Sequence, residues 1–295
     1  MASAGEGVEN ADFSDCCQVI YYLSHNGSKR TDEICKIAAC TEQGQFSRYI
    51  MPSNGIPKRK TNFTRLKITN GELEENGRIV TTFPKRTAFT DFLEFLDDQR
   101  RLRRVILVTH NTQEFHGPSI LRLVTDLGMM EEFQLRVAGF ASTLSLFKEV
   151  FPRGTPCSLK AIAGNIPEFN WEAQAAYNAT CREQILLEII RYYRNRFQIE
   201  NQIKNLTVSV RAALEKLETS DRKDSLKRVS GLSIQMRIKI AEARIGYENL
   251  VEAYQFGRNI GVLRLLRNVG IKQHVKNTIL EHLEVSVPQT PQPIE

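Results

Sequence analysis

The side chains best placed for chemistry lie where an apolar strand runs into a polar turn and then a helix, in Val105-Ile106-Leu107-Val108-Thr109-His110-Asn111-Thr112-Gln113-Glu114-Phe115-His116. Their range is narrow. A neutral imidazole such as that of His116 can ligate one soft or borderline metal ion. One imidazole cannot position two hard ions, which take oxygen ligands, chiefly carboxylates. The six cysteines, Cys16, Cys17, Cys35, Cys40, Cys157 and Cys181, form no C-x-x-C pair and no Cys…His zinc spacing. Cys35 and Cys40 fall in a run that reads as a buried strand, where a reduced cysteine behaves as a small hydrophobe. No metal site and no cofactor is expected.

The elements around these residues follow from hydrophobic period and turn chemistry. Gln18–Leu23 is β-branched and aromatic and stops at Ser24-His25-Asn26-Gly27-Ser28, a strand and a turn. Glu33–Cys40 and Gln45–Ile50 give two more strands. Residues 52–87 read as a long excursion with Pro52, Pro57 and Lys58-Arg59-Lys60. Thr87–Leu102 has apolar residues at helical spacing, with Thr87 or Thr90 as its cap. After the strand Val105–Thr109, the pattern predicts a helix over Gly117–Leu127, a strand over Phe133–Phe140 and a helix over Ser142–Phe151. A last helix runs from Trp171 to Arg194. Antiparallel strands followed by β-α alternation predict an α/β domain with a mixed sheet of about five strands. From Ile199 the strand signal vanishes. Val208–Leu217, Leu232–Tyr254, Ile260–Leu266 and Ile271–Leu283 read as helices, broken by Gly231, Gly257, Gly261 and Gly270. The expected organisation is a disordered stretch at 1–14, an α/β domain at 15–197, a small all-α domain at 198–285 and a disordered, proline-rich tail at 286–295.

With 41% hydrophobic and 25% charged residues in 295, the composition is that of a soluble globular chain. No apolar run approaches a membrane span, and the small, acidic N-terminus resembles no signal peptide, so a cytoplasmic protein is expected. Charge is unevenly spread. Asp221–Lys276 carries 12 Lys/Arg against 5 Asp/Glu, whereas the remainder carries 28 against 29. A basic helical segment beside a neutral domain points to a polyanion as partner.

The strand ending at His110-Asn111 with Phe115-His116 resembles the second motif of DEDD-type 3′–5′ exonucleases, in which His-Asn-x-x-x-Phe-Asp delivers a metal-binding aspartate. Here His116 stands in that aspartate's place. Aligned on Gly27, the family's Asp-x-Glu falls on Tyr22 and Ser24. Its third motif best matches Tyr177–Arg182, with Tyr177 at the general base and Arg182 at the last aspartate. The resemblance therefore implies an RNase H-like, exonuclease-like fold with five degenerate positions, Tyr22, Ser24, His116, Tyr177 and Arg182, and no catalytic residue. Arg182 would repel a cation. Thr31–Thr41 followed by Phe46–Pro52, together with Met236–Lys239, Arg244-Ile245, Gly257–Ile260 and Leu263–Leu266, resembles the exuperantia family of maternal proteins over about residues 18–285. In that family such an inactive domain precedes a SAM-like helical domain. Acidic residues retained in the first motif of its familiar member are missing here.

Membership of that family implies a homodimer formed through the exonuclease-like domain, no nuclease activity, and binding of structured messenger RNA for its localisation in the oocyte. Cytoplasmic ribonucleoprotein particles and transport proteins are the further partners implied. The candidate RNA contacts are Arg237, Lys239 and Arg244, at near-helical spacing on Leu232–Tyr254, and Arg258, Arg264, Arg267, Lys272 and Lys276, which surround the glycine turns at Gly257, Gly261 and Gly270. Helix N-termini at such turns offer backbone N–H groups to phosphate. Arg100-Arg101-Leu102-Arg103-Arg104 and Lys58-Arg59-Lys60 are secondary candidates. Two other readings remain. One is an active 3′–5′ exonuclease that uses carboxylates such as Asp32, Glu33, Glu183 or Glu188. The other is a protein–protein scaffold without a nucleic-acid role.

Overall fold

The computed structural model describes residues 12–27, 32–58, 65–110, 116–167, 169 and 182–287. The chain divides into two compact units, residues 1–213 and 214–295.

The first unit opens with β1 (Cys17–His25), β2 (Ile34–Cys40) and β3 (Gln45–Tyr49). A separate three-stranded antiparallel sheet follows, β4 (Leu66–Thr69), β5 (Glu72–Glu75) and β6 (Arg78–Ile79). Helix α1 (Lys85–Arg100) leads to β7 (Val105–Thr109), then α2 (His116–Leu127), α3 (Met130–Arg136) and β8 (Val137–Ser142). The unit continues through α4 (Thr143–Val150), α5 (Leu159–Ala163), α6 (Arg182–Phe197), α7 (Ile199–Asn205) and β9 (Val208–Ser209).

The main sheet has six strands in the order β3-β2-β1-β7-β8-β9. β1, β7 and β8 are parallel, β2 is antiparallel to both its neighbours, and β9 adds an antiparallel edge to β8. All residues of β2 and β7 are buried, as expected of strands covered on both faces. Ile20, Ile106 and Val108 pack with Leu146, Phe147, Ile185 and Ile189 in one core cluster. There Phe147 meets Phe151 at 5.3 Å and Tyr193 at 5.9 Å between ring centroids. A second aromatic group joins α1 and α3 to the sheet, with Phe133 at 6.1 Å from Phe89 and 6.2 Å from Phe140.

Several elements differ from the sequence reading. Residues 52–87 are not a plain excursion. Asn70-Gly71 and Asn76-Gly77, all at positive φ, close two hairpins in the two-residue loops that such pairs favour. Helix α1 begins at Lys85 after Pro84 and has no side-chain cap, so neither Thr87 nor Thr90 caps it. Phe133–Phe140 is half helix and half strand, because α3 ends at Arg136 and only then does the chain extend. The strand signal does not stop at Ile199, since β9 makes the sixth strand. The stretch 198–213 also packs with the first unit: Ile199 and Ile203 are fully buried in the Phe147 core.

The second unit is helical among its described residues. Helix α8 (Val210–Ser225) runs across the division and a 3-10 turn, Leu226–Arg228, follows it. Then come α9 (Ile234–Glu242), α10 (Tyr247–Leu265) and α11 (Gln273–Ser286). Leu232–Tyr254, read as one helix, is two. Ser233 caps α9 by accepting the Met236 N–H at 3.3 Å. The chain then turns at Arg244, φ 61°, and restarts after Gly246, whose N–H the Asn249 side chain accepts at 2.9 Å. Leu226, Ile240, Leu250, Val262, Leu266 and Ile279 are fully buried in its core. α10 is two helical runs that meet at Arg258 (φ 49°, ψ −144°), so the break read at Gly257 is present, whereas Gly261 lies inside the second run. Of the three glycines expected to precede helix N-termini, Gly257 does so at this break and Gly270 does so at φ 66° before α11, while Gly261 does not. No helix of the described residues is long and apolar enough to cross a membrane.

Candidate functional site

β1 and β7 are parallel neighbours, so their C-terminal ends lie side by side at one edge of the sheet. In open α/β sheets this edge is where ligands bind. Alternation along β1 puts Tyr22 and Ser24 on one face, and the register with β2 sets Ser24 opposite Lys36. At the end of β7, Thr109 leads toward α2, whose first residue is His116.

His116 is buried, with 1% of its surface exposed. Its Nδ1 lies 3.0 Å from Thr109 Oγ1, so strand end and helix start are tied together. Its ring meets Tyr22 edge-on at 5.1 Å and Tyr21 at 5.9 Å, and lies 6.0 Å from His25. Burial, with smaller contributions from His25 and Arg182, lowers its pKa to about 3. The ring is therefore neutral at physiological pH. Arg182 opens α6 with its guanidinium 5.2 Å from the centre of the Tyr22 ring, a cation–π distance. The structure thus brings Tyr22, His116 and Arg182 together. Tyr177 lies outside the described residues, as do Asn111 and Phe115. His110 is anchored by Thr143 Oγ1 at 2.9 Å and the Cys157 carbonyl at 2.7 Å, and burial lowers its pKa to about 4.

Beside this cluster is a charged group that the motif reading missed. Lys36, only 3% exposed, pairs with Glu75 at 3.0 Å, and the Tyr49 hydroxyl donates to Glu75 at 2.5 Å. The signal was present, since a lysine inside the apolar run Ile34–Cys40 must find an anion if the strand is buried. Glu183, next to Arg182, is the buried carboxyl among the alternatives Asp32, Glu33, Glu183 and Glu188. Burial raises its pKa to about 7, with Lys36 opposing and Glu75 reinforcing the shift. Its Oε2 has no hydrogen-bond partner among the described residues. Glu33 is engaged with Lys85 at 2.8 Å, and Glu188 with Arg191 at 2.5 Å. Among the described residues, no group of three or more His, Cys, Asp or Glu is placed to share a metal ion.

In the second unit, Lys239, Arg244, Arg258, Arg264, Arg267 and Lys272 are exposed, Lys276 is half-buried, and Arg258 stacks 5.5 Å from Tyr254. None of these seven has an ion pair among the described residues. Arg237 has none either, but it is half-buried with its Nε enclosed. By contrast Arg222, Lys227 and Arg228 pair with Glu218, Asp224 and Glu248.

A sheet of order 3-2-1-4-5 with its second strand reversed, bearing a polar cluster where strands 1 and 4 end, defines an RNase H-like domain. Residues 17–162 match the family model described as the Exuperantia RNAse H-like domain. Two relatives, each named Maternal protein exuperantia, are also similar. The one from Drosophila virilis is 23% identical over 227 residues, 72% of this chain and 47% of that protein. The one from Drosophila melanogaster is 25% identical over 137 residues, 43% and 26% of the two lengths. Residues 17–162 thus form an RNase H-like domain similar to that of the exuperantia family, and a helical region follows it. The chain's matches span less than half the length of these relatives.

Proposed function

We propose that the protein is a non-catalytic RNA-binding adaptor that binds structured maternal messenger RNA and serves its localisation, acting as a homodimer through the RNase H-like domain within cytoplasmic ribonucleoprotein particles. The observation that carries this reading is the state of the basic side chains in the helical unit. Seven exposed or half-exposed cations, from Lys239 to Lys276, have no ion pair among the described residues, while nearby Arg222, Lys227 and Arg228 are neutralised. An unneutralised basic surface is the electrostatic requirement for holding a phosphate backbone. In a SAM-like domain such a face reads RNA by shape.

The absence of catalysis follows from charge. Two-metal hydrolysis needs anions converging on the ions. At this strand edge stand Tyr22, Ser24, a neutral His116 and the Arg182 cation instead, and Glu183, the one carboxyl buried among the described residues, holds its proton about half the time at pH 7.

The test is binding of hairpin RNA to the full chain across a salt series. Affinity should fall steeply with salt, and Arg244→Glu with Arg264→Glu should weaken it by about tenfold or more, the equivalent of roughly 1.4 kcal/mol. Sedimentation of the same samples should give the mass of two chains. Salt-independent binding, or a doubly reversed variant that binds like wild type, would refute the assignment.

A second reading, a protein–protein scaffold, draws on Phe256 and Ile260. They are 93% and 79% exposed four residues apart on α10, and exposed apolar groups mark interaction surfaces when they cluster. Unchanged RNA binding by the charge-reversed variant would favour it.

A further inference from the structure

At the opposite edge of the main sheet, the N-terminal ends of β1 and β7 meet at the pair Cys17 and Val105. A cavity of about 380 Å³ opens there. The eight residue steps of β1 separate it from His25 by about 26 Å, so it is not part of the degenerate site. Its size lies within the roughly 300–1,000 Å³ of small-molecule pockets.

Its walls are polar and partly saturated. Arg194 is held by Glu42 at 2.6 Å and Glu200 at 2.9 Å. Lys204 donates to the Ser14 carbonyl, and the Thr41 hydroxyl donates to Gln99 at 2.6 Å. What remains at the mouth is Arg101 and Arg103, exposed and without ion pairs among the described residues, against the single carboxylate of Asp98. The turn that carries them is strained. Arg101 and Leu102 are consecutive non-glycine residues in the left-handed region, at φ 45° and 71°, a conformation that costs about 1–2 kcal/mol for each. Leu102 between the two arginines is 94% exposed. Arg101 ends α1 as its left-handed C-cap, but the exposed Leu102 that follows buries no apolar surface in return for its own left-handed conformation, and such outliers cluster where a segment serves binding.

We propose that this turn and cavity form a second nucleic-acid contact. The cavity takes one splayed nucleotide of single-stranded RNA, with the adjoining phosphates on Arg101 and Arg103 and the face of a neighbouring base against Leu102. Concavity argues against an anionic bilayer, which is flat and cannot enter. The amide of Gln43 and the Nε2 of Gln99, whose oxygen is taken by Thr41, supply donors and an acceptor of the kind base edges require. The inference rests on the reading that the chain binds RNA at all, and places one contact in the RNase H-like unit.

The deciding experiment titrates single-stranded RNA with the full chain from 50 to 200 mM salt. Wild type, Arg101→Gln with Arg103→Gln, and Arg258→Gln with Arg264→Gln are compared. Loss of two phosphate contacts flattens the log–log salt slope by about 1.4, so that the affinity lost over this range shrinks about sevenfold. That outcome for the Arg101 and Arg103 variant supports the cavity contact, as does crosslinking of a thiouridine-bearing RNA to the peptide containing residues 98–104. If only the Arg258 and Arg264 variant changes slope, the cavity contact is wrong and RNA binding by the helical unit stands. If wild type binds no RNA, both fall. If the Arg101 and Arg103 variant instead loses binding only to phosphatidylserine vesicles, a membrane contact replaces the proposal.

Discussion

Three buried titratable groups at one sheet edge make opposite demands as pH falls, and their balance can be measured. His116 and His110 have folded pKa values of about 3 and about 4, below the ordinary histidine value of 6.5. The unfolded chain therefore binds more protons at these sites, and stability is lost as pH falls from 6.5 toward the folded values. Between pH 7 and pH 5 each costs about 2 kcal/mol by linkage. Glu183 works the other way. Its folded pKa of about 7 exceeds the ordinary 4.5, so the folded state binds more protons and stability is gained as pH falls from about 7 to 4.5. Over the same interval it contributes about 2 kcal/mol, offsetting one of the two histidines. Glu183→Gln keeps the shape and removes the titration. The variant should be more acid-sensitive than wild type by about 2 kcal/mol between pH 7 and pH 5, an extra fall in Tm of about 4–8 °C for a domain of this size. Thermal melts by circular dichroism at the two pH values, for both proteins, give the difference directly, and pH effects elsewhere in the chain cancel in the comparison. Equal loss in the two proteins would mean that Glu183 titrates as an exposed carboxyl and that the account of its burial is wrong.

Two further outcomes follow from the same geometry. Labelled RNA incubated with the chain and Mg²⁺ or Mn²⁺ should keep its length, and shortening that a chelator abolishes would overturn the non-catalytic reading. Gly139→Ala should loosen the edge strand, because the added Cβ would sit 2.4 Å from the Val208 carbonyl and 2.7 Å from Thr207 Cγ2. Overpacking of this kind costs about 1–3 kcal/mol, with faster amide exchange expected at β9, and unchanged exchange and Tm would refute the close approach.

How far the sequence exposes this fold depends on whether a residue's role is local. Strands β1, β2, β3 and β7 were readable because unbroken β-branched and apolar runs between polar turns have few other uses. The hairpins at Asn70-Gly71 and Asn76-Gly77 were equally local and were overlooked, since Glu72–Glu75 carries three acids and gives little apolar alternation to support its turn signals. Phe133-Gln-Leu-Arg-Val137 alternates like a strand, yet helix α3 takes its first four residues. Glu131 and Glu132 suit the positive end of a helix, and Phe133 is buried against Phe89 by a contact across the chain. The site divides along the same line. His116 was legible within one motif, whereas the meeting of Tyr22 with Arg182, and of Lys36 with Glu75, joins positions 160 and 39 residues apart and depends on sheet register.

On the proposed non-catalytic reading, the groups at this strand edge also make sense as a set. Carboxylates converging on a site are tolerable only while a cation holds them, because buried like charges repel strongly when the counter-charge is missing. Once one anchor is lost, each remaining acid becomes a cost rather than a ligand, and neutral or cationic groups that cohere without metal are favoured. Tyr22 edge-on to His116, with Arg182 over the Tyr22 face, is such a group. The arrangement keeps the ends of β1 and β7 joined to α2 and α6 by aromatic and cation–π contacts in place of shared ions. Introducing a single acid, as in His116→Asp, would then bury an anion among the Tyr21, Tyr22 and His25 rings near Arg182. The packing core that holds these strands, with Phe147 and Ile189 in it, is apolar and needs no metal at the edge to form.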